Sequence, residues 1–381
     1  MATTAKVDVP GSDPVLGVQE FLKLLLRQGE IGGVFVQTHL NPHGMPMPTL
    51  ITDPERLDRA DPLAPAFPMN AARMAARLTH GRSGDRVAAV LRPCEIRAFV
   101  ELVKLNQGSM DEILLIGFDC LGAYSNRNYP RYIGGDDPMS LTSGFLGKTG
   151  GSEDTAQSDY DIAEACQSCE NLEPLGADIG IGLVGMDLGD HFVVTAHTPQ
   201  GEAVLSRLGL ADVEDPSARR AAMDALVEKR TAYRNAMFER THEATSTLAG
   251  LSEFFARCVN CYNCRAACPV CYCKECVFLT DVFDHKPWQY LGWARHKGML
   301  KMPTDTLFFH LTRLAHMSTS CVGCGQCSNA CPNDIPVMEL FRTVGARTQA
   351  GFDYVPGRSF DEPPPLSVFK ADEFPEVAGA D

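Results

Sequence analysis

The residues in this chain best suited to chemistry are its cysteines. There are fifteen in 381 residues, an odd number crowded into short windows. That pattern suits metal or cluster binding in a reducing compartment, and it fits poorly with a disulfide framework. One window repeats another: Cys258-Val259-Asn260-Cys261-Tyr262-Asn263-Cys264-Arg265-Ala266-Ala267-Cys268-Pro269 recurs as Cys321-Val322-Gly323-Cys324-Gly325-Gln326-Cys327-Ser328-Asn329-Ala330-Cys331-Pro332. Both read C-x2-C-x2-C-x3-C-P. Three thiolates spaced this way can each reach a different iron of one cubane, while the fourth, turned away beside proline, serves the other cluster. The spacing predicts two [4Fe–4S] clusters with crossed ligands. One set is Cys258, Cys261, Cys264 and Cys331; the other is Cys321, Cys324, Cys327 and Cys268. Zinc knuckles would need neither the third cysteine nor the proline.

Four cysteines lie upstream. Cys166 and Cys169 form a C-x2-C pair, Cys94 follows Arg92-Pro93, and Cys120 ends an apolar run. Gathered at the mouth of an α/β sheet, they would hold a third [4Fe–4S] cluster. Cys271, Cys273 and Cys276 follow the first repeat directly. They read either as additional ligands or as small packing residues near the clusters.

The elements that must position these thiols are legible in outline. Residues 15–27, 70–78 and 95–105 have helical periodicity, and 34–38, 86–91 and 112–118 read as strands, so an α/β domain is expected over residues 14–250. Proline-rich residues 41–68 read as loop, and 134–160 as a loop or linker. A β-rich stretch over 179–195 follows. Asp215-Pro216 has the form of a helix start, opening a helical spacer to about 248. The insert between the two repeats carries helical patterns at 290–299 and 306–317. An α-helical two-cluster ferredoxin domain is therefore expected over residues 251–350, with Trp288, Trp293, Phe308 and Phe309 as core aromatics. Residues 1–13 read as a disordered tail and 351–381 as an extended one. The formal charge of −14 opposes nucleic-acid binding. No apolar run approaches the length of a membrane span, and residues 1–13 lack signal-peptide character, so a cytoplasmic location is expected.

Beyond these readings the chain resembles a known family. Arg92-Pro93-Cys94-Glu95-Ile96-Arg97-Ala98 with Glu101 to Gln107, Cys166-Gln167-Ser168-Cys169-Glu170, and the Cys258–Cys276 and Cys321–Pro332 blocks look like the signatures of coenzyme F420 hydrogenase/dehydrogenase beta subunits, most of all the formate dehydrogenase type. The likeness spans roughly residues 14–366. It implies an α/β flavoprotein-like domain carrying FAD and one cluster, joined to a two-cluster ferredoxin domain. The implied chemistry is hydride exchange with coenzyme F420 or NAD(P)H, followed by single-electron transfer to clusters. The implied partners are the catalytic subunit of a formate dehydrogenase, a hydrogenase, or a heterodisulfide-reductase-type complex.

Two positions depart from that family. Pro14-Val15-Leu16-Gly17 stands where its members carry Cys-Gly-Gly, and Ala66-Phe67-Pro68 where they carry a cysteine before proline. Gly17, Asn70 and Arg92 are the candidate flavin contacts, in a hydride site expected within residues 14–200 and separable from the ferredoxin part. A non-catalytic, polyferredoxin-like adaptor without flavin is the second reading.

Overall fold

The computed structural model describes residues 3–41, 44–80, 84–149, 161–213, 217–273, 275–279, 286–297 and 303–368. The first half folds around one sheet. In chain order its elements are β1 (Thr4–Asp8), α1 (Pro14–Arg27), β2 (Gly33–Thr38), β3 (Met47–Ile51), α2 (Ala72–Leu78), β4 (Val87–Leu91), α3 (Pro93–Lys104), β5 (Ile113–Phe118), α4 (Tyr129–Ile133), α5 (Pro138–Thr149), α6 (Glu164–Gln167), β6 (Ile179–Gly182), β7 (His191–Ala196), α7 (Pro199–Leu208) and α8 (Ser217–Thr245). The remainder is helical: α9 (Leu248–Phe254), α10 (Asn263–Ala267), α11 (Pro287–Lys297), α12 (Pro303–Met317), α13 (Gln326–Asn329) and α14 (Val337–Gly351).

The seven strands run in the order β1-β7-β6-β5-β4-β2-β3. The central β2, β4, β5 and β6 are parallel, and β1, β7 and β3 are antiparallel to their neighbours. Every residue of β2, β4, β5 and β6 is buried, as expected of parallel strands covered on both faces. Alternation divides their side chains between two cores. Ala88, Val90, Leu114 and Ile116 meet α1, α7 and the start of α8. Val87, Ala89, Leu91 and Leu115 meet α2 and α3. α1 starts where Asp13 accepts from the amides of Val15 and Leu16, with Pro14 at its first position.

The second core does not stop at residue 250. Phe99 and Leu102 belong to the same buried cluster as Phe255, Val270, Val322, Leu340 and Phe341. The cysteine-bearing half thus shares an interior with the α/β half, contrary to the expected separability.

Several boundaries differ from expectation. Residues 1–13 are not simply a tail: β1 pairs with β7 and buries Ala5, Val7 and Val9, with Lys6 and Asp8 alternating between them. The stretch 41–68 contains β3 and a 3-10 segment, Pro54–Arg59. α5 occupies much of the expected linker at 134–160, of which 150–160 lies outside the described residues, as do Asp215-Pro216 and residues 298–299. The start of the C-terminal tail is docked on α3. Tyr354 donates its hydroxyl to both oxygens of buried Glu101, at 2.6 and 2.8 Å. The amide of Gly357 donates to Glu101 at 2.9 Å. Gly357 has φ +77°, and a Cβ there would fall 2.4 Å from Arg97 Cα, so the contact requires glycine. Trp288 is 66% and Phe308 52% exposed, so neither is a core aromatic. Phe309 is buried.

Candidate metal centres

The carboxyl ends of β4 and β5 place two of the upstream thiols. Cys94 lies in the first turn of α3, whose start is fixed by the buried Glu95 side chain, accepting from the amides of Arg92 and Ala71. Helix N-termini favour thiolate. Cys120 follows Asp119, a buried carboxylate that accepts from the amides of Leu183 and Val184 and from Arg219. Cys166 and Cys169 stand on and just after α6. All four thiols line one cavity, together with Cys324 from the second repeat. Two guanidiniums, Arg92 and Arg230, line it, and a third, Arg342, lies near Cys169. Arg92 Nη1 donates to Cys120 Sγ at 3.6 Å. Arg230, from α8, donates to the carbonyl of Leu121 at 2.6 Å. Arg342, from α14, holds the carbonyl and hydroxyl of Ser168 and the carboxylate of Glu170.

The two repeats fold alike. Asn260 and Tyr262 have φ of 52° and 61°, and their counterparts Gly323 and Gly325 have φ of 71° and 77°. A left-handed backbone costs roughly 1 kcal/mol or more at a non-glycine residue, so the shared shape reflects a demand on the loop. Cys258, Cys261, Cys264 and Cys331 line one cavity with Pro332 and His310. Cys268 faces Cys321, Cys324 and Cys327. Each repeat's fourth cysteine therefore lies with the other repeat's first three. Cys94 and Cys324 are close enough that an ionised Cys324 disfavours ionisation of Cys94. The loops are held against the α/β half by Gln326 and Asn329, which donate to the carbonyl of Phe67 at 2.9 and 3.1 Å, and by Arg97, which donates to that of Val322 at 3.1 Å.

The donor chemistry suits iron–sulfur clusters. Burial pushes the Cys264 and Cys166 thiols up to about 11, and Cys94 well above its ordinary value. Such sulfurs become thiolates only where a cation replaces the lost water, and cluster iron supplies that charge. Among the described residues no three His, Cys, Asp or Glu side chains close around one point to hold a single ion. The thiols ring open cavities, the arrangement a cubane needs. Cys271, Cys273 and Cys276 are not drawn together. Cys271 is half-buried beside Cys268, Cys273 is exposed, and Cys276 packs with Cys264, Phe278 and Phe309.

The flavin contacts expected from the sequence do not form a site. Gly17 packs α1 onto the sheet, and a Cβ there would lie 2.9 Å from the Phe192 ring. Arg92 is buried, donating to the carbonyls of Ala64 at 2.5 Å and Ala66 at 3.0 Å and lying over the Phe67 and Phe118 rings. Asn70 accepts from the amide of Ala72 and faces Cys324. A different cleft, between the two halves, is walled by Phe67, Tyr124, Asn128, Ile335 and Met338 and reaches Cys166, Cys324 and Cys331. Its aromatic and aliphatic walls suit a planar ring. Its basic side chain, Arg127, is bridged to Asp334.

Residues 84–217 match the family described as the C terminus of the coenzyme F420 hydrogenase/dehydrogenase beta subunit, and residues 316–337 match a 4Fe-4S binding domain. The chain is 26% identical over 343 residues to the F420-dependent formate dehydrogenase subunit beta of Methanocaldococcus jannaschii, covering 84% of this chain and 86% of that protein. It is 27% identical over 308 residues to the F420-dependent formate dehydrogenase 1 subunit beta of Methanococcus maripaludis, covering 74% and 75%. Among solved structures, a chain of the F420-reducing [NiFe] hydrogenase complex of Methanosarcina barkeri superposes with a TM-score of 0.45 at 15% identity, covering 65% of this chain and 94% of that one. Among the described residues no helix is long and apolar enough to cross a membrane. On its sequence matches, the chain carries a 4Fe-4S binding motif and is similar over most of its length to F420-dependent formate dehydrogenase beta subunits.

Proposed function

We propose that the chain is the electron-relaying beta subunit of an oxidoreductase complex, with its three cysteine sets holding [4Fe–4S] clusters in series. The observation that carries this reading is the way the sets adjoin. Cys324 borders both its own set and the cavity of Cys94, Cys120, Cys166 and Cys169. Cys264 and Cys268, from adjoining sets, share the neighbour Arg313. Bound there, clusters carry single electrons. The protein's own contribution is to hold the ligands, exclude water and supply fixed positive charge from Arg92, Arg230, Arg313 and Arg342.

The named relatives are F420-dependent formate dehydrogenase beta subunits. Coenzyme F420 is therefore the first candidate hydride carrier and NAD(P)H the second. A formate dehydrogenase catalytic subunit is the first candidate partner, ahead of a hydrogenase or a heterodisulfide-reductase-type protein. A flavin such as FAD would convert hydride to single electrons, and the cleft beside Cys166 and Cys324 is its proposed place. The flavin-free adaptor is the second reading, favoured by the packing of Gly17 against Phe192 and by the hydrogen bonds of Arg92 to the carbonyls of Ala64 and Ala66.

The deciding experiment uses the full chain purified without oxygen. Flavin released by acid, iron content, and reduction by reduced F420 or NAD(P)H are measured together. About one flavin and about twelve irons per chain support the first reading. About twelve irons with no flavin selects the adaptor. Iron near four or below overturns the relay.

A further inference from the structure

Arg313 is only 3% exposed, on the inner face of α12. Its Nη1 donates to Cys264 Sγ at 3.2 Å and its Nη2 to the carbonyl of Cys264 at 3.1 Å. The guanidinium lies 4.5 Å from the centroid of Phe341 and 5.6 Å from that of Phe309. Its acidic neighbours are thiols: Cys264 of one set, Cys268 and Cys327 of the other, and Cys271. Among the described residues it makes no salt bridge to a carboxylate.

A guanidinium keeps its charge at any pH a protein survives. Burying one without a counter-charge costs several kcal/mol. The aromatic faces return only part of that, so the balancing negative charge must come from the two ligand sets. We infer that Arg313 is the shared counter-charge of the two crossed cysteine sets and raises the reduction potentials of both together. Each electron added to a cluster adds negative charge, and a fixed cation beside the ligand sulfurs favours that reduced form. Cluster potentials follow net charge and hydrogen bonds to sulfur. Because one guanidinium touches Cys264 and faces Cys268 and Cys327, both potentials rise. Arg313 is a positioning and tuning residue, and the inference rests on the cluster reading above.

The test uses full-length Arg313→Gln and Arg313→Lys, reconstituted without oxygen, counted for iron, and titrated electrochemically with EPR detection. In Arg313→Gln, both clusters should shift to lower midpoint potential with iron content unchanged. In Arg313→Lys, which keeps the charge, both should stay near the native values. Full iron with unchanged potentials in Arg313→Gln, or a shift in only one cluster, overturns the inference while leaving the cluster reading intact. If Arg313→Gln fails to hold iron, Arg313→Lys decides. Native potentials in an iron-replete Lys variant support the shared charge; lowered potentials or lost iron overturn it. A native chain without these two clusters overturns both this inference and the reading on which it rests.

Discussion

Cys268 is the residue whose removal separates crossed from uncrossed ligation. It lies in the first repeat but faces Cys321, Cys324 and Cys327. Replacing it by alanine removes one half-buried sulfur, a loss on the order of 1 kcal/mol in burial. That is small against the roughly 5–15 kcal/mol by which a domain is stable, so the chain stays folded and the clusters become the readout. Three thiolates then remain for four irons. The expected loss is about one iron of about twelve if the site converts, or about four if it empties. EPR of the reduced protein assigns the damage, using Cys324→Ala and Cys261→Ala to mark each cluster's signal. Cys268→Ala should reproduce the Cys324→Ala change and leave the signal marked by Cys261 untouched. Cys331→Ala should do the reverse. If Cys268→Ala disturbs only the signal marked by Cys261, the crossed assignment is wrong.

Replacing Cys94 and Cys166 together should lower iron from about twelve to about eight while the crossed pair keeps its spectra; unchanged iron would return those thiols to a packing role. Arg219→Ala leaves the Asp119 carboxylate, buried at the end of β5, without its cation, and should destabilise the chain by about 3–5 kcal/mol in chemical denaturation. Burial raises the Asp119 carboxyl from 3.8 to about 6. The folded chain therefore binds this proton more tightly than the unfolded one. Its contribution is fully present below about pH 4 and is lost as pH rises through about 6; comparing denaturation midpoints of native and Asp119→Asn protein across that window checks the sign. Tyr354→Phe removes one of the donors to buried Glu101 and should cost about 1–3 kcal/mol by the same assay, with no change in iron content.

The cysteine repeats could be read directly because the spacing that wraps a cubane is local, and the proline beside Cys268 and Cys331 marks where each turns away. The placement of Cys94 and Cys120 also followed from sequence, since a thiol just past a buried parallel strand emerges at the sheet's ligand-binding edge. Gly17 was picked out for its missing side chain, and the neighbour that leaves no room for one is Phe192, from a strand far along the chain. Arg92 looked like a phosphate contact on type and position, but the carbonyls of Ala64 and Ala66 that occupy it are brought there only by tertiary folding. β1 offered too few residues for its alternation to stand out. Arg313 carried no local signal at all, because a helical arginine looks solvent-facing until both cysteine loops close over it.

The pairing of β1 with β7 also fixes the order of events at the ribosome. Asp8 lies opposite His191, so β1 emerges long before the strand that pairs with it. At roughly 5–20 residues per second, β1 waits on the order of 10–40 s with its backbone edge unpaired. Throughout that interval β1 lacks the β7 residues that pair with it, and pairing strands so far apart carries a high loop-closure cost. Until residues 191–196 are made, the edge of the sheet that β1 completes stays open to misassociation.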